Sequence, residues 1–524
     1  MRKKKLSFLM SVLGACLLFT FATFCSESSL ETKIKVESGL NEKEYSAYRK
    51  SVEEKIKKDP KITNYSFGKD FFFGAGTSAQ QVEGNCTNNT WSQHEKNKDS
   101  KGNLWVEQES GLTCDQCTHY KEDVQRIKAL GLDVYRFSIE WSKIEPKQGE
   151  INKEAMQYYV NLCKELVANG IKPCITLHHY TDPSWFMDLG GFEKKENIKH
   201  FVNYAQTVYK ELHEDVFLWF TFCVEGYVSK AYLLGTMPPY KQNKQTMCEV
   251  TAHILQAHVE TYDALKVIDK QPMIGIIKNI YQIDPWSTWN PLDRLASSIA
   301  GKLMDDGFYS FFSTGTYAVN IPCMVNVKYT NNHANKTLDF IGLSYYSHAY
   351  MKNFKRVLDP NEIKTDNPNY TVYPYGYYRA IKTINEKIAK PLNIPIVLNE
   401  NGIGTTDDEL RAVFTEQYLC SAAQAKQEGC NIIGYIHWSF MDNYEWGTFS
   451  KKYGLYSVDF ASKDRTRTLK LSGAYFRDLI KRVKKDESYC SKKVYVEENN
   501  NSNKKVALTA CAAIAAVVVY YWLR

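Results

Sequence analysis

Glu400 closes a short apolar run, Ile394, Ile396, Val397 and Leu398, and is followed at once by Asn401-Gly402, a pair that favours a tight turn. A carboxylate left at the C-terminal end of a buried parallel strand is placed for chemistry if the strand belongs to a β/α barrel. That rim carries the reacting groups, whereas the opposite rim carries stability. Other apolar runs end in the same way. Gln81 and Glu83 follow the run from Phe71; Arg136 lies in the next, with Trp141 after it; then come His178-His179-Tyr180, Thr221 to Glu225, Ser344-Tyr345-Tyr346, and Trp438 with Asp442 to Trp446. Carboxylate and amide groups take sugar hydroxyls, and indole faces cover the C–H side of a sugar ring, so a mouth lined by these groups suits a carbohydrate.

The elements that must position them can be read from periodicity. Strands are expected at Phe71 to Gly76, Val134 to Ile139, Lys172 to Leu177, Leu218 to Phe222, Met273 to Asn279, Phe340 to Tyr345, Ile396 to Glu400 and Ile432 to Trp438. Helical stretches lie between them, among them Tyr120 to Leu130, Lys153 to Asn169, Ile198 to Leu212 and Thr251 to Ile268. This alternation predicts an α/β protein, a (β/α)8 TIM barrel forming a single catalytic domain over residues 67–487. A doubly wound open sheet is the alternative, but no G-x-G-x-x-G follows the first strand.

The chain has 524 residues, 44% hydrophobic and 14% aromatic, enough for a large core, and its net charge of +7 lacks the basic helix or motif of a nucleic-acid binder. Arg2 to Lys5 precede an apolar run, so residues 1–25 read as a secretory signal peptide. Residues 26–66 read as an N-terminal extension with one surface helix, Glu42 to Lys58. Residues 488–505 read as a polar stalk, and 506–523 as a transmembrane or GPI-signal segment. Sequons at Asn64, Asn85, Asn88, Asn335, Asn369 and Asn500 fit a glycoprotein. A membrane-anchored protein with its catalytic domain extracellular or lumenal is therefore expected. Cys114-x-x-Cys117 lacks a second ligand pair for zinc, and a disulfide or two is expected instead.

From about Phe67 to Lys485 the chain resembles glycoside hydrolase family 1, the β-glucosidases and their relatives. The resemblance is carried, in the family's order, by F-F-F-G-A-G-T-S-A-Q-Q-V-E-G (Phe71 to Gly84), Y-R-F-S-I-E-W-S (Tyr135 to Ser142), T-L-H-H-Y (Thr176 to Tyr180), D-F-I-G-L-S-Y-Y (Asp339 to Tyr346), E-N-G (Glu400 to Gly402) and W-S-F-M-D-N-Y-E-W (Trp438 to Trp446). It implies a retaining β-glycosidase acting on small β-glycosides or oligosaccharides, with two carboxylates and no metal or organic cofactor. Glu400 would be the nucleophile, held by Arg136 and Tyr346 through charge and hydrogen bond. Gln81, His179, Trp438, Glu445 and Trp446 would bind the glycone.

Several positions depart from the family's pattern, among them Gln80, where an aromatic or Asn-like residue is usual. Ser344 replaces a usual Asn and Asn399 a usual Thr. On the fourth strand the family's T-F-N-E-P, whose Asn binds the sugar and whose Glu is the acid/base, is replaced by T-F-C-V-E-G. Glu225 is the best candidate for that acid/base, displaced by one residue, and a one-residue slip on a strand turns a side chain to the opposite face unless the backbone bulges. Two alternatives follow: a nucleophile-only enzyme resembling the myrosinases, or an inactive member serving as a surface receptor for glycan or protein. Lys451 and Tyr453 resemble part of a 6-phosphate pattern, but Glu445 would repel the phosphate, so an unphosphorylated glycone is expected. Oligomeric state is not legible.

Overall fold

The computed structural model describes residues 41–57, 64–99, 101–485 and 489–490. Eight parallel strands close into a barrel: β1 (Phe72–Gly76), β2 (Val134–Ser138), β3 (Lys172–His178), β4 (Leu218–Cys223), β5 (Met273–Asn279), β6 (Phe340–Ser344), β7 (Ile396–Asn401) and β8 (Ile432–Trp438). Each pairs with its successor, and β8 returns to β1 through Gly434 opposite Phe72 and Trp438 opposite Gly76. The expected barrel is thus present, and its strand positions depart from the sequence reading only at their ends. The strands are almost wholly buried, as parallel strands between a barrel interior and a helical layer must be.

Helices fill the crossovers and return the chain to the strands' N-terminal rim. They include α2 (Gln116–Ala129), α3 (Lys153–Ala168), α4 (Ile198–Leu212), α5 (Lys244–Ile268), α6 (Gly307–Thr314), α7 (Pro374–Ile384), α8 (Asp408–Gln427) and α9 (Leu471–Lys484). α5 begins earlier than the expected Thr251 because Asn243 accepts a hydrogen bond from Thr246 N–H and caps it, ahead of the apolar periodicity. The connections carry two additions, a hairpin (Thr316–Ile321 with Val325–Thr330) between α6 and β6 and, from the segments that follow β5 and β6, a small sheet of Gln282–Pro285, His348–Lys352 and Lys355–Val357.

The N-terminal helix, Glu42–Lys57 and here α1, is more than a solvated surface helix. Val52 and Ile56, one turn apart, are buried against Ala412 of α8 and Tyr475 of α9. Tyr45 donates to Asp478 at 2.6 Å, and Lys55 pairs with Glu409 at 2.7 Å. Asn64–Tyr65 and Tyr489–Cys490 pair antiparallel, bringing both ends of the described chain together.

The disulfide expectation needs correction, because the described cysteines, Cys86 through Cys430, are all unbridged. Most are buried on different elements and pack as small apolar side chains. The Cys114-x-x-Cys117 pair diverges, with the Cys114 thiol donating to Asp442 O and the Cys117 sulfur facing Lys143. The signal peptide, stalk and C-terminal apolar segment lie outside the described residues. Among those described, no helix is long and apolar enough to cross a membrane.

Candidate active site

Glu400 projects from the C-terminal end of β7 and is almost fully buried. One of its carboxylate oxygens pairs with Arg136 of β2, and the other accepts from the Tyr346 hydroxyl at 2.8 Å. Arg136 is itself immobilised: its Nε donates to Thr176 at 2.8 Å and its Nη2 to His179 Nδ1 at 3.3 Å. Burial, with the Glu400 charge beside it, keeps the Tyr346 phenol well above its usual range, so it stays a donor. The turn after Glu400 runs flush against Trp438: a Cβ at Gly402 would overlap the Trp438 carbonyl, which is why the E-N-G turn ends in glycine. The result is a rigid carboxylate at a barrel mouth, oriented on both oxygens and suited to nucleophilic attack.

A second group surrounds it. Gln81, on the short helix after β1, donates to Glu445 at 3.0 Å and to Asn443 at 2.9 Å, while Ser78 fixes its carbonyl. Burial raises the Glu445 carboxyl to about 7 despite the pull of Lys230, Lys451, Gln81 and the Trp438 indole. His179 stacks between the planes of Trp438 and Trp446, at 5.9 and 6.1 Å. Burial and the Arg136 charge hold it neutral, far below its usual range. Since Arg136 can only donate, His179 Nδ1 accepts and its Nε2–H remains free to donate. Amide, carboxyl, imidazole and two indoles thus meet beside Glu400, an arrangement able to read the hydroxyls and the apolar face of one sugar ring. Asn399 and Ser344, two of the departures from the pattern, meet: the Asn399 amide donates to the Ser344 hydroxyl at 3.2 Å, while the Asn399 carbonyl oxygen stays buried without a partner.

β4 behaves differently. It bulges against β5, where Phe220 lies opposite Gly275 but Cys223 opposite Ile277, so the bulge that strand periodicity left open is present. Cys223 still faces inward: its thiol reaches the Tyr180 hydroxyl at 3.6 Å, and burial together with the Glu400 charge pushes it up to about 12. Two residues later, Glu225 faces the other way. Its Oε1 pairs with Lys278 at 2.7 Å, and its Oε2 accepts the Asn279 N–H at 2.9 Å. Phe220, Ile277 and Gly342 meet inside the barrel, so Lys278, next on β5, projects outward, where it also takes Asp305 and Met304 O beneath the Phe308 and Tyr309 rings of α6. Glu225 is therefore engaged in a buried ion pair in the strand–helix layer.

The space inside is taken by Tyr180, whose hydroxyl lies so close over Gly226 that a Cβ there would overlap it. Lys230, on the same segment after β4, lies over the Tyr180 ring at 5.1 Å and the Trp446 ring at 5.5 Å. Sequence reading missed both Lys230 and Lys278. Lys278 had a signal, a single lysine inside the apolar run M-I-G-I-I-K-N, which demands a buried partner. Lys230 had none, because only the fold brings its loop over the mouth.

Comparison with known proteins agrees with this geometry. The family model "Glycosyl hydrolase family 1" matches residues 63–485. Beta-glucosidase A of Acetivibrio thermocellus is 28% identical over 452 residues, covering 80% of this chain and 99% of that protein. The 6-phospho-beta-glucosidase GmuD of Bacillus subtilis is 28% identical over 472 residues, covering 79% and 97%. Among solved structures, a beta-glycosidase from Pyrococcus horikoshii superposes with a TM-score of 0.71 at 32% identity, covering 80% of this chain and 96% of that one. With the family model spanning the whole barrel and a mouth built around an oriented glutamate, the chain belongs to glycosyl hydrolase family 1, a family of β-glycosidases.

Proposed function

We propose that the protein is a retaining β-glycosidase of β-glucosidase type, acting on small β-glycosides or oligosaccharides with Glu400 as nucleophile. The observation that carries this reading is the clamp on Glu400 from Arg136 and Tyr346, which holds both carboxylate oxygens and aims the group at the mouth. Glu400 attacks the anomeric carbon, the C1–O bond to the leaving group breaks, and the glycosyl ester is then hydrolysed by water. Gln81, His179, Trp438, Glu445 and Trp446 orient the glycone. An unphosphorylated sugar fits best, because Glu445 is hydrogen-bonded by Gln81 at the polar end of the site.

Neither metal nor organic cofactor enters this chemistry. We also propose a tether: a signal peptide, a stalk and an apolar C-terminal segment anchoring the barrel outside the cell or in the lumen.

The test is covalent trapping. A 2-deoxy-2-fluoro-β-glucoside with a dinitrophenyl leaving group should inactivate the wild type, with the mass increment on the peptide holding Glu400; Glu400→Ala should neither turn over nor become labelled. Absence of labelling in an active wild type would refute the nucleophile assignment. A second reading, an enzyme restricted to leaving groups that need no proton, is favoured by one observation, the engagement of Glu225 with Lys278.

A further inference from the structure

Glycosidic oxygens of ordinary alcohols leave poorly unless protonated, and the carboxylate that the fourth strand could have offered is turned outward onto Lys278. The same βα segment nevertheless returns a titratable group to the mouth. After the short helix Val224–Val228 the chain continues through a wide turn, Ser229–Leu233, that carries Lys230. Its ammonium lies over the faces of Tyr180 and Trp446, and Trp446 also stacks on His179 of the glycone group. Tyr180 in turn fills the space left by the outward turn of Glu225, a position open to it because residue 226 is glycine.

Resting on the glycosidase reading above, we propose that Lys230 is the proton donor to the leaving group and the base for the incoming water, in the role a second carboxylate has elsewhere. In the first step Glu400 forms a bond to C1 while the C1–O bond breaks, and the departing oxygen takes a proton from the Lys230 ammonium. In the second, water adds to C1, its proton passes to the neutral Lys230 amine, and the ester bond to Glu400 breaks. The ammonium is regenerated and no further reactant is consumed.

The surroundings suit a lysine that must both give and take a proton. Burial lowers its proton affinity, and Lys451 adds to this; Glu445, Cys223 and Glu400 oppose it. Those are the charged and titratable groups facing it from the β8, β4 and β7 loops. His179 is held neutral, and Tyr180 remains a protonated phenol. An amine brought toward the working pH is a better acid/base than a solvated lysine.

The experiment compares wild type with Lys230→Met, Lys230→Arg and Tyr180→Phe on dinitrophenyl and methyl β-glucosides. Lys230→Met should lose about 10²- to 10⁴-fold in kcat/KM on the methyl glucoside and within about tenfold on the dinitrophenyl one. Sodium azide should accelerate its turnover of the activated substrate and yield β-glucosyl azide, since azide needs no base. Lys230→Arg, which keeps charge but cannot release its proton, should match Lys230→Met on the methyl glucoside and lose the basic limb of the pH profile. Equal losses on both substrates without azide rescue would overturn the proposal in favour of a charge or packing role. A large loss confined to the methyl glucoside in Tyr180→Phe, with Lys230→Met unaffected, would transfer the role to Tyr180 and equally overturn it. Wild type cleaving only the dinitrophenyl glucoside, unchanged by Lys230→Met, would show a nucleophile-only enzyme. Fluoroglucoside labelling of Glu400 separates any of these results from failure of the glycosidase reading itself.

Discussion

The buried contact between Lys278 and Glu225 can be tested apart from catalysis. The Lys278 side chain is 0% exposed and Glu225 7%, so neither charge is hydrated. The three ammonium protons have three acceptors: Glu225 at 2.7 Å, Asp305 at 2.8 Å and Met304 O at 3.1 Å. Burial alone would lower Lys278, but Asp305 and Glu225 more than offset it and hold the amine above its usual range. Replacing Lys278 by Met leaves two carboxylates without a counter-charge, which costs about 3–5 kcal/mol. Glu225→Gln keeps an acceptor for the Asn279 N–H and leaves Lys278 with Asp305, so its cost is about 1–2 kcal/mol. The double variant Glu225→Gln/Lys278→Met should be at least about 1 kcal/mol more stable than the sum of the single effects implies, because the two sites share one contact. Urea unfolding followed by tryptophan fluorescence reads all three, and methyl β-glucoside hydrolysis by Glu225→Gln should stay within about threefold of wild type. The reasoning fails if Lys278→Met loses less than about 1 kcal/mol. It also fails if Glu225→Gln loses a hundredfold in activity with its unfolding midpoint unchanged, for then Glu225 is the proton donor after all.

Glu445→Gln should trade binding for stability. Because burial raises this carboxyl from 4.5 to about 7, the folded state holds the proton more tightly than the unfolded chain, and the associated stability is lost as pH rises through that window. The variant should therefore be about 1–3 kcal/mol more stable than wild type at pH 8 and little different at pH 4, while its KM for glucosides rises; equal stabilities at pH 8 would contradict the assignment. Gly226→Ala places a methyl group on the Tyr180 hydroxyl, so it should move the ring, weaken glucoside turnover by tenfold or more and be rescued in part by Tyr180→Phe. Val52→Asp puts an unpaired charge where α1 meets α8 and α9; thermal unfolding should shift down by the equivalent of about 2–4 kcal/mol with kcat on the dinitrophenyl glucoside retained below the transition. Loss of activity without loss of stability would show α1 acting on the mouth.

The barrel was legible because its strands are fully buried apolar runs bounded by turn residues, and β5 and β8 were read to the residue. Glu400, Tyr346, His179, Trp438, Glu445 and Trp446 were legible for a related reason, since they sit at a strand's C-terminal end or on the loop that follows; Arg136, in the middle of β2, was marked only by the resemblance to the family's pattern. Burial of α1 was not legible, since its Val52 and Ile56 are a thin apolar stripe on a charged helix and only α8 and α9 supply the surface it covers.

On β4 the residues alone could name the difficulty and not resolve it. That T-F-C-V-E-G departs from the pattern, and that a slip by one residue or a bulge would decide its meaning, is a matter of strand periodicity and so of local sequence. Which face Glu225 takes depends on Lys278, which sits on the neighbouring strand, and on Asp305, which precedes α6; a buried carboxylate goes where a distant counter-charge compensates its lost hydration. The place of Lys230 over Tyr180 and Trp446 is likewise set by three loops that meet only when the barrel closes. Local patterning therefore determined the fold and the place of Glu400 at a strand's C-terminal end, while the direction of each charged side chain on the fourth βα segment was decided by tertiary pairing, because electrostatic compensation acts through space and not along the chain.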